Sequence, residues 1–551
     1  MKIRSLLLAA ALAVPSLVGQ LLDPHLLLEP PTTAWPTYNG DYSGKRFSPL
    51  TQINSSNVRH MTLSWVSRIT PGPLGAIIGG EGPMPKEGPG DALSFFGARI
   101  AATPLMINGV LYFAMPDNAY AVDARTGRVL WHYFWKTKGG IHIGNRGVGI
   151  YGNWLYFETP DDYLVCLDAR TGKERWHRQI ADVKQEYFST PAPVIIGNHV
   201  IVGTGGDSLD VPGFLEAHDP ETGDIQWKWW TEPMKQGDPG ADTWPDNYSM
   251  RHGGGMTWIP GTYDPDLHLY YLGTGNPNPV LTGKSRKGDD LFTCSIVALD
   301  VDTGKLKWYY QASPHDTHDW DDVETPVLFD ANWHGKPRKL LAQAARNGYF
   351  FVLDRVTGEH LLTAPFINTL NWSTGLNKNG QPIGNPAKEA SIDGVLVSPA
   401  TGGATNWPPP SFDPQTGLFY VSANESFSVF FLTDLDPHPE GWGAAEKAAG
   451  SYGSALEAID YQTGKIVWRH PYPSTSGFGG PTGILTTAGH LLFTGDNANN
   501  LIAFDPANGK ILWHSHLTNR VTNGPETFLL DGKQYLVVGA GDSLYTFTVD
   551  E

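Results

Sequence analysis

The chain has 551 residues, a formal net charge of -17, 12% aromatic residues and two cysteines, Cys166 and Cys294. An acidic surface repels phosphate backbones and argues against nucleic-acid binding. Without a Cys-x-x-Cys motif, a zinc-thiolate site and a covalent haem of the Cys-x-x-Cys-His type are excluded.

The chain opens with MKIRSLLLAAALAVPSLVGQ, where Lys2 and Arg4 precede an apolar run that ends in small residues near Gly19. This is the pattern of a cleaved secretory signal, so residues 1–19 are expected to be a signal peptide and 20–551 one exported domain, periplasmic or secreted. A retained N-terminal anchor is the alternative. Removing the two signal cations takes the charge from -17 to -19. No other apolar run approaches the roughly 20 residues of a membrane span. Each cysteine precedes a turn within an apolar run (LVCLD, TCSIVALD), which reads as a buried free thiol rather than half of a disulfide.

One phrase then recurs along the chain, from AVDARTGRVLWHY at 121 to AFDPANGKILWHS at 503. Eight turns of the form Asp-x-x-[Thr/Asn]-Gly are anchored at Asp123, Asp168, Asp219, Asp300, Asp354, Asp413, Asp460 and Asp505. In each the Asp side chain caps backbone amides and the Gly takes a left-handed conformation, so each unit predicts a hairpin. With further strand-like pieces between them, the spacing predicts an all-β fold, an eight-bladed β-propeller of four-stranded antiparallel blades; seven and nine blades are the alternatives. The trailing Trp131, Trp176, Trp227, Trp308, Trp468 and Trp513 read as inter-blade packing residues. Four segments break the pattern, 72–97, 231–250, 362–398 and 430–450, and are expected to gather over one mouth of the channel. Surface loops without a role are the competing reading.

The densest chemistry lies in SPHDTHDWDDVETP at 313–326, which holds Asp316, Asp319, Asp321, Asp322, Glu324, His315 and His318. Carboxylates packed this closely need a cation, a proton or a hydrogen-bond network if buried. Asp319 and Asp321, at i and i+2 of an extended segment, point the same way and are positioned to share one ion. A transition-metal site built with His315 and His318 is a rival. GTGNPNP at 273–279 adds the amide of Asn276, RHGGGMTW at 251–258 the indole of Trp258, AARNGYFFVLD at 344–354 Arg346, and IGNRGVGIYGNWLYF at 143–157 Arg146. Hard ligands, a flat aromatic surface and two guanidinium groups suit a planar, polyanionic, metal-chelating ligand.

WPTYNGDYSGKRFSPL, GTGNPNP, PHDTHDWDD and the repeated turn resemble the quinoprotein alcohol dehydrogenases, propellers that bind pyrroloquinoline quinone (PQQ) and a metal ion, over nearly the whole mature chain. The resemblance implies that Asp319 is the catalytic base, that Arg146, Thr190 (in STPAP), Trp258, Arg346 and Asn406 (in GGATNWPPP) bind PQQ, and that Asn276, Asp319 and Asp321 bind the metal. Asp321 resembles the mark of lanthanide-using members, with Ca2+ the other choice. Three positions depart from the pattern. Ser208 stands where the family has a metal-binding Glu, so Asp207 or Asp210 is expected to take that role. Gly140 and Ile141 replace the adjacent cysteines of methanol dehydrogenases, leaving Ile141 or His142 to cover the ring, and Ala101 replaces a Glu. Lacking a haem extension, the chain is expected to pass electrons to a separate carrier such as a soluble cytochrome c. A non-catalytic envelope scaffold and a PQQ-dependent sugar or polyol dehydrogenase are the alternative functions.

Overall fold

The computed structural model describes residues 22, 24–69, 99–139, 143–205, 210–472 and 482–549. The expected signal at 1–19 and the whole of the 72–97 insertion lie outside them. Among the described residues are eight sheets of four or five strands, falling at 105–134, 149–179, 194–230, 262–311, 327–365, 395–471, 485–516 and 526–549; all pairings within them are antiparallel except that of Phe47–Ser48, which adds in parallel to the seventh. In the first sheet the first strand is buried and the fourth exposed: Leu105–Ile107 is wholly covered, whereas Val129–Phe134 runs along the rim. The eighth sheet takes its outer strand from the other end of the chain, Met61–Arg68 pairing antiparallel with Ser543–Val549.

One contact repeats from sheet to sheet. Trp131 packs on Gly172 of the next sheet and donates its indole N–H to Ala169 O at 2.9 Å. Trp176 meets Gly223, Trp227 meets Gly304, Trp308 meets Gly358 and Trp468 meets Gly509, each also donating to a neighbouring carbonyl. Trp65 closes the ring on Gly127 and Ala124 O of the first sheet. The turn glycine is required twice over: Gly172 has φ +70, and a Cβ there would lie 2.6 Å from the Trp131 ring. Between the fifth and sixth sheets, where the phrase reads VLDRVTGEHLLTA, Leu362 and Ala364 pack on Gly464 instead.

Seven of the eight sequence turns join third and fourth strands. The turn at Asp413 joins Ser411–Asp413 to Leu418–Leu432, the inner hairpin of the sixth sheet. The eighth sheet has no such turn because its outer strand is N-terminal. Turns and sheets therefore agree in number only because these two departures cancel; an Asp acceptor followed by a left-handed Gly closes any hairpin of suitable twist.

The stretch 32–46, which holds most of WPTYNGDYSGKRFSPL, threads the ring and touches every sheet. Trp35 N–H bonds Met106 O of the first sheet (2.9 Å), and Tyr38 and Asn39 line a cavity with Val148 to Ile150 of the second. Tyr42 Oη donates to Ile195 O of the third (2.6 Å), and its carbonyl accepts from Tyr263 of the fourth. Ser43, Lys45 and Arg46 carbonyls accept from Leu328, Phe412 and Thr486 of the fifth, sixth and seventh, and Thr32 O from Leu529 of the eighth. The fully buried Arg46 side chain donates to three carbonyls, Tyr38, Ile484 and Pro525, at 2.7, 3.0 and 2.6 Å.

Two of the insertions, 362–398 and 430–450, meet through a bridge between Ser391 and Phe431. Leu418–Leu432 and Ala444–Asp460 form a long two-stranded ribbon. Its tip lies on 280–281, with Val280 N–H donating to Gly441 O and Leu281 N–H to Trp442 O. The 362–398 segment carries the hairpin Ser373–Leu376 with Pro382–Gly384 and reaches the acid segment through Lys388. Both cysteines are buried free thiols.

Replacing Trp468 by Ala removes the contact with Gly509 and the bond to Pro506 O; the expected loss is roughly 3 kcal/mol of unfolding free energy, read by denaturant titration. In the sixth sheet, burial pushes the Glu457 carboxyl up to about 8, with Arg469 pulling down and Glu425 pushing up. The folded state thus keeps a proton that the unfolded chain releases near pH 4.5. Stability contributed below that pH is lost as pH rises towards 8, by roughly 5 kcal/mol at most, and Glu457→Gln should flatten this slope in a pH series of unfolding curves.

Candidate active site

The acid segment is shaped before it is charged. Asp316 accepts from the backbone N–H groups of His318 (3.3 Å) and Trp320 (3.1 Å), which winds the chain so that Asp319 sits at φ +66. A non-glycine residue held there is strained, a condition that gathers at functional sites. GTGNPNP lies directly beneath. A Cβ at Gly273 would fall 1.6 Å from Asp322 O, and one at Gly275 2.9 Å from Asp321 Oδ1, so only glycine admits the acids this closely.

Four of the expected residues converge. Asp321 Oδ1 accepts from the Asn276 backbone N–H at 2.6 Å. Arg346 bridges the two acids, its Nη2 3.0 Å from Asp319 Oδ2 and its Nη1 bonded to Asp321 Oδ2, and it also donates to Thr401 O at 2.6 Å. Asp319 and Asp321 are 4% and 0% exposed. A guanidinium shared by two buried carboxylates offsets their mutual repulsion.

A second group lies alongside. The Arg146 guanidinium carbon is 4.8 Å from the centroid of the Trp258 ring and 5.2 Å from that of Trp407. Arg146 N–H donates to the carbonyl of buried Thr190 at 3.0 Å. The groups are joined by backbone: Gly255 N–H donates to Asn276 O, and Ala404 N–H to Arg346 O three residues before Trp407. Asn406 turns its amide onto its own loop, bonding Gly402 O and Trp407 N–H. Trp407, its neighbour, is the aromatic residue that sequence reasoning passed over; the clue available was its place in NWPPP, beside an already chosen Asn.

Other candidates lie elsewhere. Asp210 accepts from Gly441 N–H at 2.9 Å at the ribbon tip, and its strongest charged neighbours are Glu440, His252 and Glu186 rather than Asp319 or Asp321. Asp207, Gly140, Ile141 and His142 lie outside the described residues. His318 stacks on Trp320 and bonds Lys388 O at 3.0 Å, with burial lowering its pKa, while His315 bonds Gly288 O at 2.7 Å. Neither histidine joins the acid pair, and among the described residues no three His, Cys, Asp or Glu side chains are arranged to hold a metal ion. Fully buried Arg286, which the sequence reading did not select, clamps the segment by bonding Asp290 at 2.6 Å and the carbonyls of Pro279 and Asp316.

The residues fit a planar polyanion that chelates a cation. Trp258 is 8% exposed and its indole N–H is buried without a partner among the described residues, with a guanidinium lying on the ring. Two carboxylates and the Asn276 amide supply hard oxygens for an ion, and a further ligand is needed to complete its shell.

Comparison with known proteins agrees with this geometry. The family described as glucose/ethanol/alcohol dehydrogenase, beta-propeller domain (PQQ) matches residues 35–365 and 454–536, passing over the hairpin and ribbon insertions and with them Asn406 and Trp407. The quinoprotein alcohol dehydrogenase PedH of Pseudomonas putida is 35% identical across 98% of this chain and 91% of its own length. The quinohemoprotein alcohol dehydrogenase of Comamonas testosteroni is 33% identical across 97% of this chain and 75% of its own; its crystal structure superposes with a TM-score of 0.84 at 31% identity, covering 96% and 82%. A europium-containing methanol dehydrogenase superposes with a TM-score of 0.80 at 28% identity, covering 95% and 99%. The chain belongs to the PQQ-dependent quinoprotein alcohol dehydrogenases.

Proposed function

We propose that this protein is an exported, periplasmic dehydrogenase that oxidises an alcohol with PQQ and one hard cation, Ca2+ or a lanthanide, and passes the electrons to a separate carrier such as a soluble cytochrome c. The observation that carries the reading is the convergence of Asp319, Asp321, Asn276 and Arg346 beside Arg146 and its two indoles. When bound, the quinone supplies a two-electron acceptor for the substrate's hydride and the cation a Lewis acid.

The chain's own residues do the rest. Asp319 is the general base that takes the hydroxyl proton at a carboxylate oxygen. Arg346, 3.0 Å from its Oδ2, holds that carboxylate in place. Trp258 offers the flat face on which a planar ring stacks, and Arg146, anchored through Thr190, pairs with its carboxylates, with Asn406 and Trp407 at the rim. Asn276, Asp319 and Asp321 hold the cation. Asp207 and Asp210 are the candidates for the remaining ligand position, and Asp210 accepts from Gly441 N–H. The ribbon, through Phe430, and the 362–398 segment, through Lys388, both pack on His318 of the acid segment.

Dye-linked oxidation of an alcohol panel by the mature protein, supplied with PQQ and either Ca2+ or La3+, tests the reading. Asp319→Asn should lower kcat by 10² or more while the variant still quenches tryptophan fluorescence on binding PQQ. Undiminished turnover in that variant removes Asp319 from the base role. Asp321→Ala should abolish the response to La3+ and spare more of the response to Ca2+, because the trivalent ion depends on the extra carboxylate; equal losses with both ions would contradict the lanthanide assignment.

A further inference from the structure

Arg146 is carried on a turn that its neighbour shapes. Asn145, which is buried, folds its amide around Arg146: Oδ1 accepts from Gly147 N–H at 2.9 Å, and Nδ2 donates to the main-chain carbonyl of Glu158 at 3.0 Å. Glu158 ends the strand Trp154–Glu158 of the second sheet and is fully buried.

The Glu158 side chain reaches the other arm of the site. Buried Ser189 donates its hydroxyl to Glu158 Oε2, and the next residue, Thr190, accepts the Arg146 N–H at 3.0 Å through its carbonyl. On the other side of Ser189, the Phe188 carbonyl accepts from Gly205 N–H at 2.7 Å. Glu158 thus holds the segment of Arg146 through its main chain and the segment of Thr190 through its carboxyl. Burial pushes that carboxyl well above the usual range, the charges of Asp162 and Glu216 adding to this and the bonds from Ser189 and the Gly203 backbone opposing it. A neutral carboxyl both donates and accepts, as a carboxamide does.

A polar group buried at this depth costs free energy that only its hydrogen bonds offset, and these bonds fall on the neighbours of two site residues. We propose that Glu158 is a positioning residue that fixes the Arg146 and Thr190 segments relative to each other and so sets the affinity for PQQ. This inference rests on the reading that Arg146 and Thr190 bind the quinone. A guanidinium pairs with a carboxylate through direction as well as distance, so a small rotation of the Arg146 turn weakens that pairing and shifts the guanidinium on the Trp258 and Trp407 rings.

Two substitutions separate the hydrogen bond from the space it occupies. Glu158→Leu fills the volume and cannot bond Ser189, whereas Glu158→Gln keeps a donor and an acceptor. Titration of the purified mature protein with PQQ and Ca2+, followed by tryptophan quenching, gives Kd, and denaturant unfolding of the same samples gives stability. Glu158→Leu should weaken PQQ binding about tenfold and Glu158→Gln by less than about threefold. Ser189→Ala removes the same bond from its other end, should match Glu158→Leu, and decides the matter if that variant does not fold. In turnover assays the half-saturating PQQ concentration should rise by the same factor, with a far smaller fall in the plateau rate. Wild-type affinity in both Glu158→Leu and Ser189→Ala, or a loss in Glu158→Gln equal to that in Glu158→Leu, overturns the positioning role and leaves the proposed function standing. A wild type that binds no PQQ removes the proposed function and this role together.

Discussion

The molecule depends on one contact, an indole laid on a neighbour's turn glycine. A four-stranded sheet has two faces and can bury them only by stacking, so no sheet of this protein is stable alone. The Trp-on-Gly contact sets the spacing between sheets, and its indole hydrogen bond sets their rotation. Where the fifth sheet lacks the Trp, aliphatic side chains pack on the same glycine, which shows that the glycine, more than the indole, is the geometric requirement. The ring then closes by pairing strands from opposite ends of the chain, so partial folding leaves an open edge.

Closure creates the axial space that makes the site possible. The N-terminal thread fills one part of that space, bolted by Arg46 to three carbonyls. The glycine-rich segments 253–255 and 273–275 and the acid segment occupy the other, close enough that a single Cβ would separate them. Arg346 comes from the fifth sheet, Asn276 from the fourth, Arg146 from the second, and Trp407 from the insertion before the inner hairpin of the sixth. Residues more than 200 positions apart in the chain thus meet because the sheets that bear them share an axis.

Electrostatics explains why the acid segment is clamped so heavily. Five acids within ten residues would force an unsupported loop into water. Instead, Arg286 holds the carbonyl side, Arg346 holds two carboxylates, and Gln343 holds two main-chain oxygens, so the segment stays buried with its backbone in a left-handed kink at Asp319.

The sequence by itself determined the repeat, the class of fold and the chemistry of the site residues. Each of these is local: an Asp and a Gly at fixed spacing make a turn, and carboxylate, amide, indole and guanidinium keep their character wherever they fold. It did not distinguish the turn at Asp413 from the others, because a turn motif carries no information about which strands it joins. Nor did it separate Asp322 and Glu324 from Asp319 and Asp321, since neighbouring acids look alike until their partners are known. Tertiary structure alone decided that Arg346 bridges Asp319 and Asp321, that Trp407 reaches Arg146, and that Asp210 faces the ribbon. Those outcomes rest on distances between segments far apart in the chain, and only the closed ring sets such distances.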